Sequence, residues 1–409
     1  MRSLWVLAWL ASPALAVAGP AAPVVGGADA KSGKWPDAAA ILFPTTRGDQ
    51  ALCSGTLIAP TVVVTAGHCF DETRVLPDNV LIGAASLDRP RDGETIAIAT
   101  GFVYPDADVT EDLTVLILAR RSTRQPRAIA TGWARTDIVN GQAVALVGYG
   151  AVDRGADLFV AELQEARSKI TDADCTRSLG CNDGAQPAGE LGAGGNGVDT
   201  CPGDSGGPLY LTPDDGTYLG GVTSRTYDDP TFPCSEGGIY VRPDKLVPWI
   251  ERVSGVNVTH GPEPTADPIT AVPGGGGDGW IDINDPGSDD HRLVVTTPPR
   301  HAQANVRDDG AIRVCADPDA APGDDALTVT MTDTKHSYRT LAITIPLTIA
   351  AGTAMGPCDL NTFAETGGCC ETGGRPGGAL PLALGVLAVV RRRRSRNLRG
   401  ETCGAGRRR

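Results

Sequence analysis

Basic charge is the first thing this 409-residue chain is short of: 36 Lys and Arg stand against 49 Asp and Glu, for a net charge of −13. Arginines crowd into residues 391–409, so the remainder is more acidic than the total says. An acidic body offers little to a phosphate backbone, which excludes nucleic acid as the expected partner. Long apolar runs are also missing. The two at the ends, residues 4–10 and 379–390, fall short of the ~20 residues a bilayer-spanning helix needs. No Cys-x-x-Cys spacing occurs among the 11 cysteines, so no zinc or other metal, and no cofactor, is expected. Histidine is scarce as well, and His68 is the one histidine before residue 260.

What is present begins with an address. Arg2, the apolar run, and small residues at Ala14, Ala16 and Ala18 read as a cleaved secretory signal over residues 1–18. Outside the cytoplasm thiols are oxidised, so the cysteines are expected in cross-links. From residue 24 to about 223, apolar runs of strand length (39–43, 52–58, 62–64, 80–83, 95–99, 113–118, 143–147, 209–211, 219–222) are mostly separated by Gly, Pro, Asp or Asn. That is the pattern of an antiparallel all-β domain. One helix closes the region, with Asp244 as candidate N-cap, Pro248 tolerable within the first turn, and Leu246, Val247, Ile250 and Val253 on one stripe.

Composition then shifts. Residues 256–279 read as a linker, the Gly/Pro-rich part 261–279 being flexible. Residues 280–357 contain short strands that fit a small immunoglobulin- or cadherin-like β-sandwich. Cys315 is a candidate partner for Cys358. The acidic turns at Asp308, Asp309 and Gly310 and at Gly323, Asp324 and Asp325 fit either calcium sites or, more simply, solvated turns. Residues 358–409 carry a double-cysteine motif, the apolar segment 379–390 and an arginine cluster. This order resembles the myxobacterial-type C-terminal sorting tag, which implies display at the cell surface or outer membrane, with membrane association through the tail or release outside the cell.

A serine hydroxyl becomes a useful nucleophile only beside a base, which in turn needs a carboxylate to orient it. Ser205 sits in Asp199-Thr200-Cys201-Pro202-Gly203-Asp204-Ser205-Gly206-Gly207-Pro208, and His68 sits in Thr65-Ala66-Gly67-His68-Cys69. Asp112 directly precedes an apolar run able to bury it, with Asp106, Asp108 and Glu111 as local rivals. These segments resemble the serine, histidine and aspartate motifs of trypsin-like serine proteases, in that family's chain order. Val24-Val25-Gly26-Gly27 is similar to the family's mature N-terminus, and Gly148-Tyr149-Gly150 to its Gly-aromatic-Gly turn. The resemblance spans residues 24–255.

It implies two antiparallel six-stranded β-barrels with a C-terminal helix, followed here by the sandwich and the tail. It implies a serine endopeptidase acting on proteins or peptides, expected as a monomer. His68, Asp112 and Ser205 would form the triad, and the N–H groups of Gly203 and Ser205 the oxyanion hole. Disulfides Cys53–Cys69, Cys175–Cys181 and Cys201–Cys234 are implied in the same way. So is a zymogen switch, in which a freed Val24 ammonium would pair with Asp204. Pro23 precedes Val24, so a short propeptide, 19–23, would be removed by a protease of different specificity.

Asp199 stands at the family's specificity position, which implies cleavage after Arg or Lys. Ser224-Arg225-Thr226 departs from the usual Ser-Trp-Gly: Thr226 would narrow the pocket mouth and Arg225 could itself neutralise Asp199, while Gly238 keeps the opposite wall small. The alternatives are a narrowed pocket preferring small residues, or an inert binding or adhesion protein on a protease scaffold. The base must be neutral imidazole, so activity is expected to fall in acid.

Overall fold

Twelve short strands, each bounded by the turn residues noted above, close into two barrels. The computed structural model describes residues 23–363 apart from 47, 72, 106–110, 177–179, 182–188 and 355. The signal segment, most of the propeptide, Asp106, Asp108 and the tail beyond residue 363 lie outside the described residues. Strands β1 (Ala38–Phe43), β2 (Gln50–Ala59), β3 (Val62–Thr65), β4 (Asn79–Ile82), β5 (Glu94–Val103) and β6 (Thr114–Leu118) form a closed antiparallel barrel ordered β1-β2-β3-β6-β5-β4. Strands β7 (Ala143–Gly148), β8 (Gln164–Asp172), β9 (Glu190–Ala193), β10 (Pro208–Leu211), β11 (Tyr218–Thr226) and β12 (Gly238–Val241) repeat that order shifted by six, and pairing of β7 with β8 closes them. Closure removes the exposed edges an open sheet of this size would present.

Each barrel is filled from within by aliphatic side chains, including Ile41, Leu57, Val63, Ile82 and Leu116 in the first and Leu146, Leu191, Leu209 and Leu211 in the second. Where they meet, Trp35 stacks on Tyr210 with ring centroids 4.5 Å apart. The Tyr210 hydroxyl donates to Asp37, whose two oxygens also receive Arg127 Nε at 3.1 Å and Nη2 at 2.6 Å. Asp37 and Tyr210 are wholly buried, and a buried charge is tolerable only when paired and hydrogen-bonded in this way.

A short helix, α1 (Gly132–Thr136), lies between the barrels in sequence, and α2 (Pro243–Ser254) follows β12. Asp244 falls inside the first turn of α2, with Arg242 at the N-cap, and Pro248 is the sixth helical residue rather than part of the first turn. Proline there leaves the carbonyl four residues earlier without its helical donor. Arg135 Nη2 fills the gap, donating to Asp244 O at 2.8 Å.

The stretch read as a flexible linker is built into the structure instead. It carries β13 (Thr265–Ala266) and β14 (Ile269–Ala271), and β15 (Gly276–Asp282) starts within it. With β16 (His291–Thr297), β17 (Ala302–Val306), β18 (Ala311–Ala316), β19 (Gly323–Asp333) and β20 (Thr340–Ile349) these make two four-stranded sheets, β13-β15-β18-β17 and β14-β20-β19-β16. Composition misled here because short strands gain their stability from neighbours far along the chain: Ile269 pairs with Leu347. Trp133, from α1, lies in the same apolar cluster as Ile281, Ile312, Leu327 and Ile345, and its Nε1 donates to Ile283 O at 2.7 Å.

Candidate active site

Register alone brings two of the candidate residues together. Thr65, the last residue of β3, pairs with Thr114, the first of β6. His68 lies three residues beyond Thr65, in the 3-10 turn Gly67–Phe70, and Asp112 lies two before Thr114. Both therefore emerge at the same end of the first barrel. His68 Nδ1 is 2.8 Å from Asp112 Oδ2, and the His68 backbone N–H donates to Asp112 Oδ1 at 2.9 Å. The Ser224 hydroxyl donates to the same Oδ2 at 2.6 Å. Burial pushes the Asp112 carboxyl up, but the bonds from His68 and Ser224 outweigh it and hold it below the usual carboxylate range. Glu111, the described rival, points elsewhere and accepts from Gly189 N at 2.9 Å.

The Ser205 loop is seated on the turn that carries His68. Ser54 N in β2 donates to Ser205 O at 2.8 Å, and Cys69 Sγ lies 3.8 Å from the same oxygen. Gly206, at φ +81°, packs so close that a Cβ would collide with Thr65 Oγ1 and Ser54 O. Its N–H donates to Thr223 O at 2.7 Å, anchoring the loop to the second barrel. Gly203 has φ +98°, a conformation suited to glycine. Among the described residues neither the Gly203 nor the Ser205 N–H donates to a protein acceptor, and the Ser205 hydroxyl is not bonded to the imidazole. Catalytic hydrogen bonds of that kind commonly tighten only when substrate binds.

Three disulfides brace this region: Cys53–Cys69 joins β2 to the histidine turn, Cys201–Cys234 joins the serine loop to the segment before β12, and Cys175–Cys181 closes a short loop. A fourth, Cys315–Cys358, lies in the second unit. The groupings of potential metal ligands here, Cys53-His68-Cys69 and Cys175-Cys181-Glu190, have their sulfurs committed to these bonds.

Asp199 is 1% exposed, and its carboxylate is lined by N–H groups: Thr200 at 2.8 Å, Ser235 at 3.0 Å and Gly237 at 2.9 Å. Burial outweighs those bonds and pushes its carboxyl up to about 6. Arg225 does not neutralise it. Its guanidinium grips Glu190 in β9 with two bonds, at 2.6 and 2.8 Å, and also reaches Ser224 Oγ and Gly180 O. The Glu190 side chain is fully buried, so the guanidinium is held by two charge-assisted bonds to a carboxylate shielded from water. Sequence reasoning missed Glu190, which is 35 positions from Arg225 and looks like any strand residue. Thr226 pairs with Gly238 across β11 and β12, and a Cβ on Gly238 would come 3.4 Å from Asp199 Oδ1.

Asp204 is completely buried. Its oxygens accept from Gly150 N at 2.8 Å and Cys201 N at 2.9 Å, with no cation in reach among the described residues, and burial pushes it up to about 7. Val24 is also fully buried, and Val25 packs on Cys201 and Cys234 while its carbonyl accepts from Asp199 N at 3.2 Å. Val24 is held at φ 31°, an outlier for a β-branched residue. Glu190, Asp199 and Asp204 thus put three buried carboxylates in the second barrel and its serine loop. Gly203 also lines a groove of about 680 Å³, walled by Leu52, Leu87, Phe159 and Val160.

A family model described as Trypsin matches residues 24–250. Human serine protease 56 is 31% identical over 243 residues, covering 56% of this chain and 38% of that protein. Serine protease snk of Drosophila melanogaster is 29% identical over 261 residues, covering 56% and 57%. The chain thus spans well under two thirds of the length of either relative. Among solved structures, mouse neuropsin, a serine protease, aligns at 26% identity and a TM-score of 0.45, over 56% of this chain and 98% of its own. The secreted serine protease VesC from Vibrio cholerae aligns at 18% identity and a TM-score of 0.45, over 80% and 71%.

Proposed function

Since the chain belongs to the trypsin family, we propose that it is a serine endopeptidase acting through Ser205, His68 and Asp112. The observation that carries this is the Asp112–His68 bond, buttressed by Ser224, at the barrel end where the Ser205 loop is seated. With Asp112 holding the proton on Nδ1, Nε2 is the free base that takes the Ser205 proton as Oγ attacks the substrate carbonyl. The developing oxyanion is received by the N–H groups of Gly203 and Ser205, which have no other acceptor among the described residues. Protonated His68 then delivers its proton to the leaving amine, and water repeats the cycle on the acyl-enzyme. Asp199 selects Arg or Lys before the cut. The groove beyond Gly203 receives the residues after it and favours apolar side chains. Export through residues 1–18 and surface display through the tail complete the proposal.

A fluorophosphonate probe tests the central claim. The processed protein should be labelled, and Ser205→Ala should not be. A correctly processed, well-folded wild type that takes no label would instead mark the inert binding protein.

Activation follows from Asp204. A carboxyl raised from 3.8 to about 7 favours the folded state only while protonated, so stability is intact below the unfolded value and is lost as pH rises through the folded one. Before the Pro23–Val24 bond is cut, the Val24 nitrogen is a neutral amide and cannot compensate. Afterwards its ammonium can. Thermal unfolding of the Ser205→Ala protein, uncut and processed, should therefore diverge between about pH 4 and 8, with the uncut form losing more as pH rises. Parallel curves would refute the switch.

A further inference from the structure

Four carboxylates meet between the protease unit and the second β unit, and they are unequally satisfied. Arg339, 5% exposed, lies among Asp137, Asp215, Asp285 and Asp333. On the second unit's side the bonds are complete. Asp285 receives Arg339 Nη2 at 2.8 Å, His291 Nε2 at 3.0 Å and Gly287 N at 3.0 Å. Asp333 receives Lys335 N, His336 N and Nδ1, and the Ser288 hydroxyl.

On the protease side they are not. Asp137, just after α1, is 3% exposed, and the Asp215 side chain, in the turn between β10 and β11, is 2% exposed. Among the described residues, Asp137 Oδ2 and both Asp215 oxygens find no hydrogen-bond partner. Arg339 stands off at 3.5 Å from Asp137 and 3.9 Å from Asp215, its strong bond already given to Asp285. These oxygens face a cavity of about 260 Å³, which Gln142, Thr212, Asp214, His336, Tyr338 and Arg339 also line.

We propose that this cavity is a site for a hard divalent cation, calcium in particular, held by Asp137 and Asp215 where the protease unit meets the second β unit. Water can donate hydrogen bonds to the orphaned oxygens but brings no charge, and the basic groups of the cluster make their short bonds elsewhere: Arg339 Nη2 and His291 to Asp285, His336 to Asp333. Oxygen donors of the carboxylate, amide and hydroxyl kinds suit calcium, which accepts irregular cages of six to eight ligands, better than zinc with its preference for nitrogen and sulfur. The acidic turns singled out in the sequence do not compete: Asp308 accepts from Leu293 N, and Asp325 from Arg300, His301 and Ala326 N.

The test uses the secreted protein carrying Ser205→Ala, so that neither autolysis nor the proposed enzymatic role affects the reading. After chelation with EDTA, saturating calcium should raise Tm by about 5 °C, with magnesium much less effective. Asp215→Asn should abolish the calcium response and, with one repelling charge gone, melt higher than its parent in EDTA. Should that variant not fold, terbium luminescence provides a second reading. Trp133, whose ring lies 5.8 Å from the Arg339 guanidinium, should sensitise bound terbium, and Trp133→Phe should dim it. A parent protein indifferent to calcium, a calcium response surviving in Asp215→Asn, or terbium emission unaffected by Trp133→Phe would overturn the proposal.

Discussion

Replacing Asp112 with asparagine is expected to lower kcat about 10⁴-fold while leaving the fold intact. Asp112 now accepts three bonds, two from His68 and one from Ser224, and as an ionised carboxylate it needs no proton of its own. An asparagine of nearly the same shape must present its amide N–H₂ to one of those donors. If it faces Nδ1, the imidazole proton moves to Nε2, and the nitrogen that should receive the Ser205 proton is already occupied. The cost is therefore chemical rather than structural, and the readout is a collapse of kcat with Tm little changed. Ser224→Ala removes one buttress but keeps the carboxylate, so its loss should be far smaller. A drop of less than tenfold in Asp112→Asn would mean that another group orients His68.

Asp199 supplies the second large effect. A desolvated, hydrogen-bonded charge pair is worth about 2–5 kcal/mol on truncation of one partner, so Asp199→Asn should reduce kcat/KM for Arg and Lys peptides by about 10² to 10³, with little change for matched Ala peptides. Ionised Asp199 is the form that meets a cation. With its carboxyl pushed up to about 6 by burial, the wild-type preference for Arg over Ala should fade as pH drops below that value, beyond the general loss of activity in acid. Profiling matched peptides across pH 5 to 8 measures both. A wild type that prefers Ala or Val to Arg would mean that Thr226 closes the pocket mouth and would replace the basic-residue reading with the narrowed pocket.

Much of the fold was legible because its signals are local. Strand-length apolar runs between turn residues, the serine, histidine and aspartate segments, and the stripe on α2 can each be read within a dozen positions. What could not be read depends on register and distance. Nothing near Arg225 announces that it will grip Glu190, and Asp199 is the partner that position along the chain suggests. The same limit hid the role of Ser224 as a donor to Asp112, which needs the pairing of Thr65 with Thr114 to set the height of Asp112 at the barrel's end. Residues 261–279 failed differently. Glycine and proline signal flexibility only when no partner strand is waiting, and Leu347 and Asp282 wait for Ile269 and Thr265.

The position of Trp133 matters to anyone cutting the gene into pieces. Its indole belongs by sequence to the protease unit and by packing to the second β unit, so a boundary drawn after α2 runs through an apolar core rather than between two cores. A shortened clone would present a bare indole, the orphaned Asp137 and the hairpin carrying Asp215 to solvent. The smallest sensible expression fragment therefore keeps both units, and insolubility of a catalytic half made alone would be a fault of the cut rather than of the enzyme.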